Sequence, residues 1–294
     1  MDEPIEIASP QLTVGISPRG AEMRRLRTSV GHDLLWSGDA RWWGAISPLL
    51  FPVIGRLPEA GPLIGGRRYP LPMHGFAQTS LFTQIARAAD RATFLLVDDD
   101  ASRAVYPFAF ALTVDYAVQA ETLTMTVTVA NTGTAAMPAS AGFHPGFRWP
   151  VAGLGAKEDH RVRFAETEDA SIWRASAGFR LPDKVPSPLR GRDLPLTEAE
   201  FATGAVIFGG LHSRSVEFMQ GERTMLTVGF DGCPNLALWS RPGGDFLCIE
   251  PWNGLPQTAA FDGEVAERPG MIVLEPERSM VLSIRVAVAA TLCL

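Results

Sequence analysis

The chain has few of the residues that would assign it quickly. It contains three cysteines, Cys233, Cys248 and Cys293, an odd number with no C-x-x-C spacing. Both a disulfide framework and a structural zinc site are therefore disfavoured, and buried thiols are expected. No apolar run reaches the roughly 18 residues that a membrane span needs, so a membrane protein is not expected. The start, MDEPIEIASPQL, lacks the basic segment and apolar centre of a secretory signal, which makes the cytoplasm the expected location. A net charge of -6 gives little attraction for phosphate backbones, so nucleic acid is not an expected partner. There is no G-x-S-x-G elbow, no P-loop and no G-x-G-x-x-G following a strand. H-x-x-H, H-E-x-x-H and Cys/His clusters are also missing.

What is present is an alternation of period two. Phe110, Leu112, Val114, Tyr116 and Val118 alternate with Ala, Thr and Asp residues. After the polar break QAET, Leu123, Met125, Val127 and Val129 face one way and Thr124, Thr126 and Thr128 the other. The two runs predict an antiparallel hairpin. Met280, Leu282, Ile284, Val286 and Val288 repeat the pattern, and shorter strands are expected at Thr93–Val97, Met225–Phe230, Leu236–Trp239 and Phe246–Glu250. Glycine (28) and proline (23) are spread throughout, so the reading is an all-β sandwich, as a single domain over residues 1–294. Thr197 and Glu200 form a possible capping box before a short helix, and residues 153–195 read as a loop-rich excursion.

Only five histidines occur. His32 and His160 have charged neighbours that suggest the surface, and His212 is ambiguous. His144, in SAGFHPGFRWP, precedes Pro145, which biases it towards extended backbone, while Gly142 and Gly146 permit close approach or positive φ. Two readings remain open for it: packing among Phe143, Phe147 and Trp149, or an imidazole presented rigidly at a cleft. In DFLCIEPW, Glu250 shares a strand face with Cys248, a costly place for a carboxylate unless it is solvated, paired or used. Pro251 is expected to stop the ladder and leave Glu250 at a sheet rim. Arg56 could be a surface turn charge and His74 a loop packing residue.

Taken together, LLWSGDARWWGAISPLLFPVIGRLP, YPLPMHGFAQ, SAGFHPGF and LALWSRPGGDFLCIEPWNG resemble, in order, the aldose 1-epimerase (galactose mutarotase-like) family, over roughly Leu34 to Gly254. The resemblance implies a large antiparallel β-sandwich, the supersandwich, with a sugar in an open cleft across one sheet and no metal or organic cofactor. It also implies that His144 is the general acid and Glu250 the general base, with His74 and Arg56 holding sugar hydroxyls. A carboxylate and an imidazole flanking the anomeric centre could open and reclose the sugar ring, and Glu250 is expected to favour the imidazolium. Trp239 and Trp252 are candidate sugar-binding aromatics, whereas Trp36, Trp42 and Trp43 are expected in the core.

The pattern departs from the family at two places. Gln78 stands where members acting on phosphorylated hexoses are expected to carry arginine, so a neutral aldohexose is expected over a hexose 6-phosphate, with Arg56, Arg67 and Arg68 keeping the second open. No hydroxyl-orienting aspartate aligns; FGGLHSRSVEF offers His212 and Arg214 instead. The expected function is therefore an aldose 1-epimerase acting on a small-molecule sugar, as a monomer or homodimer. The alternatives are a noncatalytic carbohydrate-binding protein on the same fold and a hexose-6-phosphate mutarotase.

Overall fold

A computed structural model describes residues 4–168 and 171–294. The predicted hairpin forms as Phe110–Gln119 paired with Thr122–Asn131, in unbroken register from Thr122 opposite Gln119 to Asn131 opposite Phe110. Ser279–Val288 joins the second of these strands antiparallel, and the buried residues are the even-numbered ones of the first strand, the odd-numbered ones of the second and the even-numbered ones of Ser279–Val288. These three strands lie in the middle of a nine-stranded antiparallel sheet.

An eight-stranded sheet packs against it, with Asn235–Trp239 and Phe246–Trp252 near its centre. Leu236, Leu238, Leu247 and Ile249 from this sheet share one apolar cluster with Val114, Val127, Leu282 and Ile284 from the other, which makes the architecture an antiparallel β-sandwich. A three-stranded sheet, beginning at Ile5–Ala8, completes the N-terminal part. Among the described residues no helix is long and apolar enough to cross a membrane. The one α-helix among the described residues, Asp100–Val105, is capped by the Asp99 carboxylate accepting from Ser102 N–H, and Thr197 caps a 3₁₀ turn at Glu198–Phe201 as its sequence suggests.

Four expectations need correction. Residues 153–195 are not merely a loop: His160–Phe164 and Asp193–Pro195 extend the nine-stranded sheet, while Ile172–Ser176 and Phe179–Val185 extend the eight-stranded one. The Phe179–Val185 edge strand is mostly exposed and so lacks the apolar alternation by which strands are recognised. Asp169 and Ala170 fall outside the described residues of this stretch. His160 is buried rather than superficial, its Nε2 accepting from Val151 N–H and its Nδ1 lying 2.9 Å from Ala156 O. Cys233 and Cys248 are buried thiols, but Cys293 is only partly so.

Most consequential is Pro251, which does not stop its strand. The strand runs to Trp252, and Pro251 pairs with Leu236. Its neighbours Ile249 and Asn253 donate to Pro145 O and Ala141 O, so the donor that Pro251 lacks falls on the side of the 141–148 segment. That segment carries the strands Gly142–Phe143 and Gly146–Arg148, which both pair with Phe246–Trp252, so the ladder is interrupted only locally.

Strand alternation sets what each face carries. Phe143 and Phe147 point to the main core, which leaves Gly142, His144 and Gly146 on the other face. The glycines serve close approach, since neither has positive φ. A Cβ on Gly142 would lie 2.4 Å from Trp252 Cδ1, and one on Gly146 2.7 Å from Trp43 Cζ3. Gly142→Ala is accordingly expected to lower unfolding free energy by about 1–3 kcal/mol in chemical denaturation, as overpacking does. Gly133→Ala, whose new Cβ would meet nothing nearer than 3.4 Å, is expected to change it by no more than about 0.5 kcal/mol.

Candidate functional site

Gly142 stands opposite Trp252 and Gly146 opposite Cys248. The same antiparallel register carries His144 directly across from Glu250, and their side chains meet: His144 Nε2 lies 3.1 Å from Glu250 Oε2. Both are enclosed, at 8% and 2% exposure. Glu250 is thus in the interior of a central strand, not at the rim expected from Pro251. Ala237, a small residue, is its partner on the other flanking strand.

Burial governs the charge state of the pair. Desolvation holds the His144 imidazole well below its ordinary range, with the neighbouring His74 adding to the effect. Desolvation likewise pushes the Glu250 carboxyl well above its own. The expectation that Glu250 would favour an imidazolium is therefore outweighed in the unliganded site, where both groups are driven towards their neutral forms. His144 Nδ1 is buried without a hydrogen-bond partner among the described residues.

His74 arrives from the MHGF loop. It sits at φ 64, left-handed backbone that costs of order 1–3 kcal/mol in a non-glycine residue. Gly75 follows at φ 74, where a Cβ would come within 2.0 Å of Phe51 O. The conformation is held by two contacts with Gly55: His74 N–H donates to Gly55 O at 3.0 Å, and Gly55 N–H donates to His74 Nδ1 at 3.2 Å. With Nδ1 accepting, the ring proton is assigned to Nε2, which makes His74 a donor. Burial and the Arg268 charge lower its pKa to about 4, so this donor is neutral at ordinary pH. Its ring meets that of His144 edge-on at 5.7 Å.

Aromatic residues close over the pair. Trp43 stacks on His144 with centroids 4.8 Å apart and planes inclined by 28°, and Trp239 meets His144 edge-on at 5.8 Å. Trp43 is half-buried and packs against the Trp36, Phe246 and Cys248 cluster as expected, but the room left by Gly146 also lets its indole reach the histidine. Trp36 is buried against Phe246, and Trp42 is half-buried. Trp252 packs with Leu50, Ile54 and Ile207, and its indole N–H has no partner among the described residues.

Arg56 lies beside His74's anchor Gly55 but is exposed, and its side chain makes no hydrogen bond among the described residues. The sequence reading missed a second arginine, Arg268, which is 3% exposed and donates from Nη2 to Ile54 O at 2.8 Å. Its setting, GEVAERPG, looks like a charged surface turn. Only the 3₁₀ turn Val265–Glu267 and the docking of its C-terminal flank bring it inward. His212 and Arg214 are exposed, and neither side chain contacts the His144–Glu250 pair. Arg214 braces the carbonyls of Leu211 and Ser213, while His212 and Ser213 donate backbone N–H groups to Glu168.

His144, Cys248 and Glu250 bring possible ligand atoms within 4.8 Å of one another. Burial and the adjacent Glu250 raise the Cys248 thiol well above its ordinary range, and Glu250 Oε2 is already in contact with His144 Nε2.

The sequence profile of the aldose 1-epimerase family matches residues 3–286. The chain is 29% identical over 277 residues to the plasmid-encoded protein LacX of Lactococcus lactis subsp. lactis, covering 90% of this chain and 91% of LacX. Among solved structures, it resembles a galactose mutarotase related enzyme from Lactobacillus acidophilus, with a TM-score of 0.90, 25% identity and 97% of both chains covered. It also resembles a galactose mutarotase-like protein from Lactobacillus casei ATCC 334, with a TM-score of 0.89, 27% identity, and 97% and 99% of the two chains covered. With a matching profile over nearly its whole length, and the same sandwich in its structural relatives, this chain belongs to the aldose 1-epimerase family.

Proposed function

We propose that the protein is a mutarotase, interconverting the α and β anomers of an aldohexose with a free anomeric hydroxyl. The observation that carries this reading is the enclosed contact of 3.1 Å between His144 Nε2 and Glu250 Oε2. The anomeric hydroxyl and the ring oxygen are bonded to the same carbon, so an acid and a base serving both must stand close together. A binding protein has no need of such a pair, and burying two ionisable groups without use is costly.

The pair holds one proton to pass. In the unliganded site burial favours neutral imidazole and protonated carboxyl; moving that proton from Oε2 to Nε2 gives imidazolium and carboxylate without changing the net charge. In the second form Glu250 takes the proton of the C1 hydroxyl while His144 protonates the ring oxygen. The C1–O5 bond breaks, the C1–O1 bond becomes the carbonyl, and the open-chain aldehyde forms. After rotation about C1–C2, reclosure reverses both transfers on the other face. His74, neutral and donating from Nε2, suits a sugar hydroxyl, and Arg56 is open at the rim for another. Trp43 and Trp239 offer apolar surfaces against which a pyranose ring could lie.

Two measurements test this. Freshly dissolved α-glucose and α-galactose should reach anomeric equilibrium faster with the protein than in buffer, followed by polarimetry or NMR. His144→Ala and Glu250→Gln should each reduce that catalysis by about 10²-fold or more. No acceleration with any common aldose would sink the mutarotase reading, whereas undiminished rates in both variants would sink the residue assignment. The second concerns stability. Because burial raises the Glu250 pKa in the folded state, its contribution is fully present below the unfolded carboxyl value of about 4.3 and is lost as pH rises. Glu250→Gln should therefore melt at a higher temperature than wild type at pH 7, by about 2 °C or more for each kcal/mol relieved. The difference should vanish near pH 4, as differential scanning calorimetry across that range would show.

A further inference from the structure

Five residues carry buried side-chain nitrogen atoms that find no hydrogen-bond partner among the described residues. One, Arg161, is ion-paired with Asp193 and Glu222. The others are His144, Trp252, Gln257 and Arg268. His144 and Trp252 lie on the sheet face that carries the candidate site. Arg268 lies close enough to His74 for its charge to act on that ring, and it leaves Nε and Nη1 unused. Gln257, at 1% exposure, leaves Nε2 unused.

A guanidinium enclosed to this degree is ordinarily paired, because an uncompensated buried charge is costly. Arg268 is not paired, and it is one of three. Arg56 N–H donates to Gly178 O at 2.8 Å, Arg180 N–H donates to Gln257 O at 2.9 Å, and Arg180 Nε donates to Pro256 O at 3.2 Å. Gly55 is close-packed against Pro256 and Gly178, where an added Cβ would come within 2.6 and 2.8 Å. The segments bearing the three arginines are therefore in mutual contact beside His74. No ion pair among the described residues includes any of them. Arg180 instead lies over the Trp173 ring at 4.8 Å, where burial lowers its pKa.

We propose that the sugar taken by this cleft carries an anionic group, a carboxylate or a phosphate ester, which Arg268 receives in the interior and Arg56 and Arg180 receive at the mouth. The inference rests on the reading of the cleft as a sugar site and specifies the class of sugar. Guanidinium groups suit both anions, which accept charge-assisted hydrogen bonds from several N–H groups at once. Gln257 adds a neutral donor. The expectation of a neutral sugar rested on Gln78, but Gln78 Nε2 donates to Met73 O and closes its own loop. The cationic groups come from positions 56, 180 and 268, and so an arginine after HGFA is not needed to supply them.

Calorimetric titration with glucose, glucuronate and glucose 6-phosphate, and with the corresponding galactose series, tests the proposal without depending on catalysis. At least one acidic sugar should bind about tenfold or more tightly than its neutral counterpart. The carboxylate and phosphate arms show which anion is meant. Arg268→Gln should collapse that ratio towards one, and Arg268→Lys should restore part of it. If Arg268→Gln does not fold, the wild-type ratio and its reduction in Arg56→Ala, a change at an exposed side chain, decide instead. Neutral sugars binding as well as both acidic ones would overturn the proposal, as would the absence of binding in all arms. So would an Arg268→Gln variant that weakens every sugar by one common factor, the mark of a purely structural role. Following anomerisation of the same sugars separates the two readings. Preferential binding of an acidic sugar without anomerisation would remove the mutarotase and keep the anion site. Equal turnover of neutral and acidic sugars would keep the mutarotase and remove the anion site.

Discussion

The contact between His144 and Glu250 is the constraint to which the surrounding structure answers. Two ionisable groups meet inside a β-sheet, where neither is solvated and each is driven towards its neutral form. Their meeting needs no long side-chain reach, because the antiparallel register of two neighbouring segments places them opposite one another. That register depends in turn on the sandwich core, where Phe143, Phe147, Leu247 and Ile249 turn inward and fix which residues turn outward. A slip of one position would bury the wrong set on both strands. The apolar face and the reactive face are consequences of one alternation.

Small residues and prolines adapt the sheet around that contact. Gly142 and Gly146 leave the volumes into which Trp252 and Trp43 enter, and the small Ala237 stands opposite Glu250. Pro145 and Pro251 remove donors from the ladder on the two facing segments, yet the pairing survives because Ile249 and Asn253 still donate across it. The site therefore has stiff backbone and few backbone hydrogen bonds in the same place. His74 adds local strain, with left-handed backbone maintained by its reciprocal contacts with Gly55. Such strain is tolerated where surrounding structure over-determines it, and it aims the ring at His144.

Much of this was legible in the amino-acid sequence, for identifiable reasons. Half-buried strands announce themselves by alternation, so the hairpin Phe110–Gln119 and Thr122–Asn131 and the long strand Ser279–Val288 were readable to within a residue or two. Edge strands such as Phe179–Val185 were not, because exposure removes the apolar signal. His144, Glu250 and His74 stood out because their residue types are at odds with the glycine-rich or apolar segments that hold them. The position of Glu250 was misjudged, since Pro251 is a strand terminator by local rule and a tolerated gap only when the flanking donors are known. The stacking of Trp43 on His144 was not readable, because an indole in sequence does not reveal which glycine faces it.

What the sequence determined by itself was the class of fold and the reactive residue types: period-two patterning selects strands, and an imidazole and a carboxylate in apolar settings are conspicuous wherever they fall. Tertiary structure alone decided which of them touch, at what burial, and with what charge. His144 and Glu250 are separated by more than a hundred residues and become neighbours only through strand pairing. Arg268 looks like a surface charge until the turn before it carries it beneath Ile54. Charge state and partnership are properties of enclosure, and enclosure is produced by distant segments closing on one another, which no local stretch of sequence encodes.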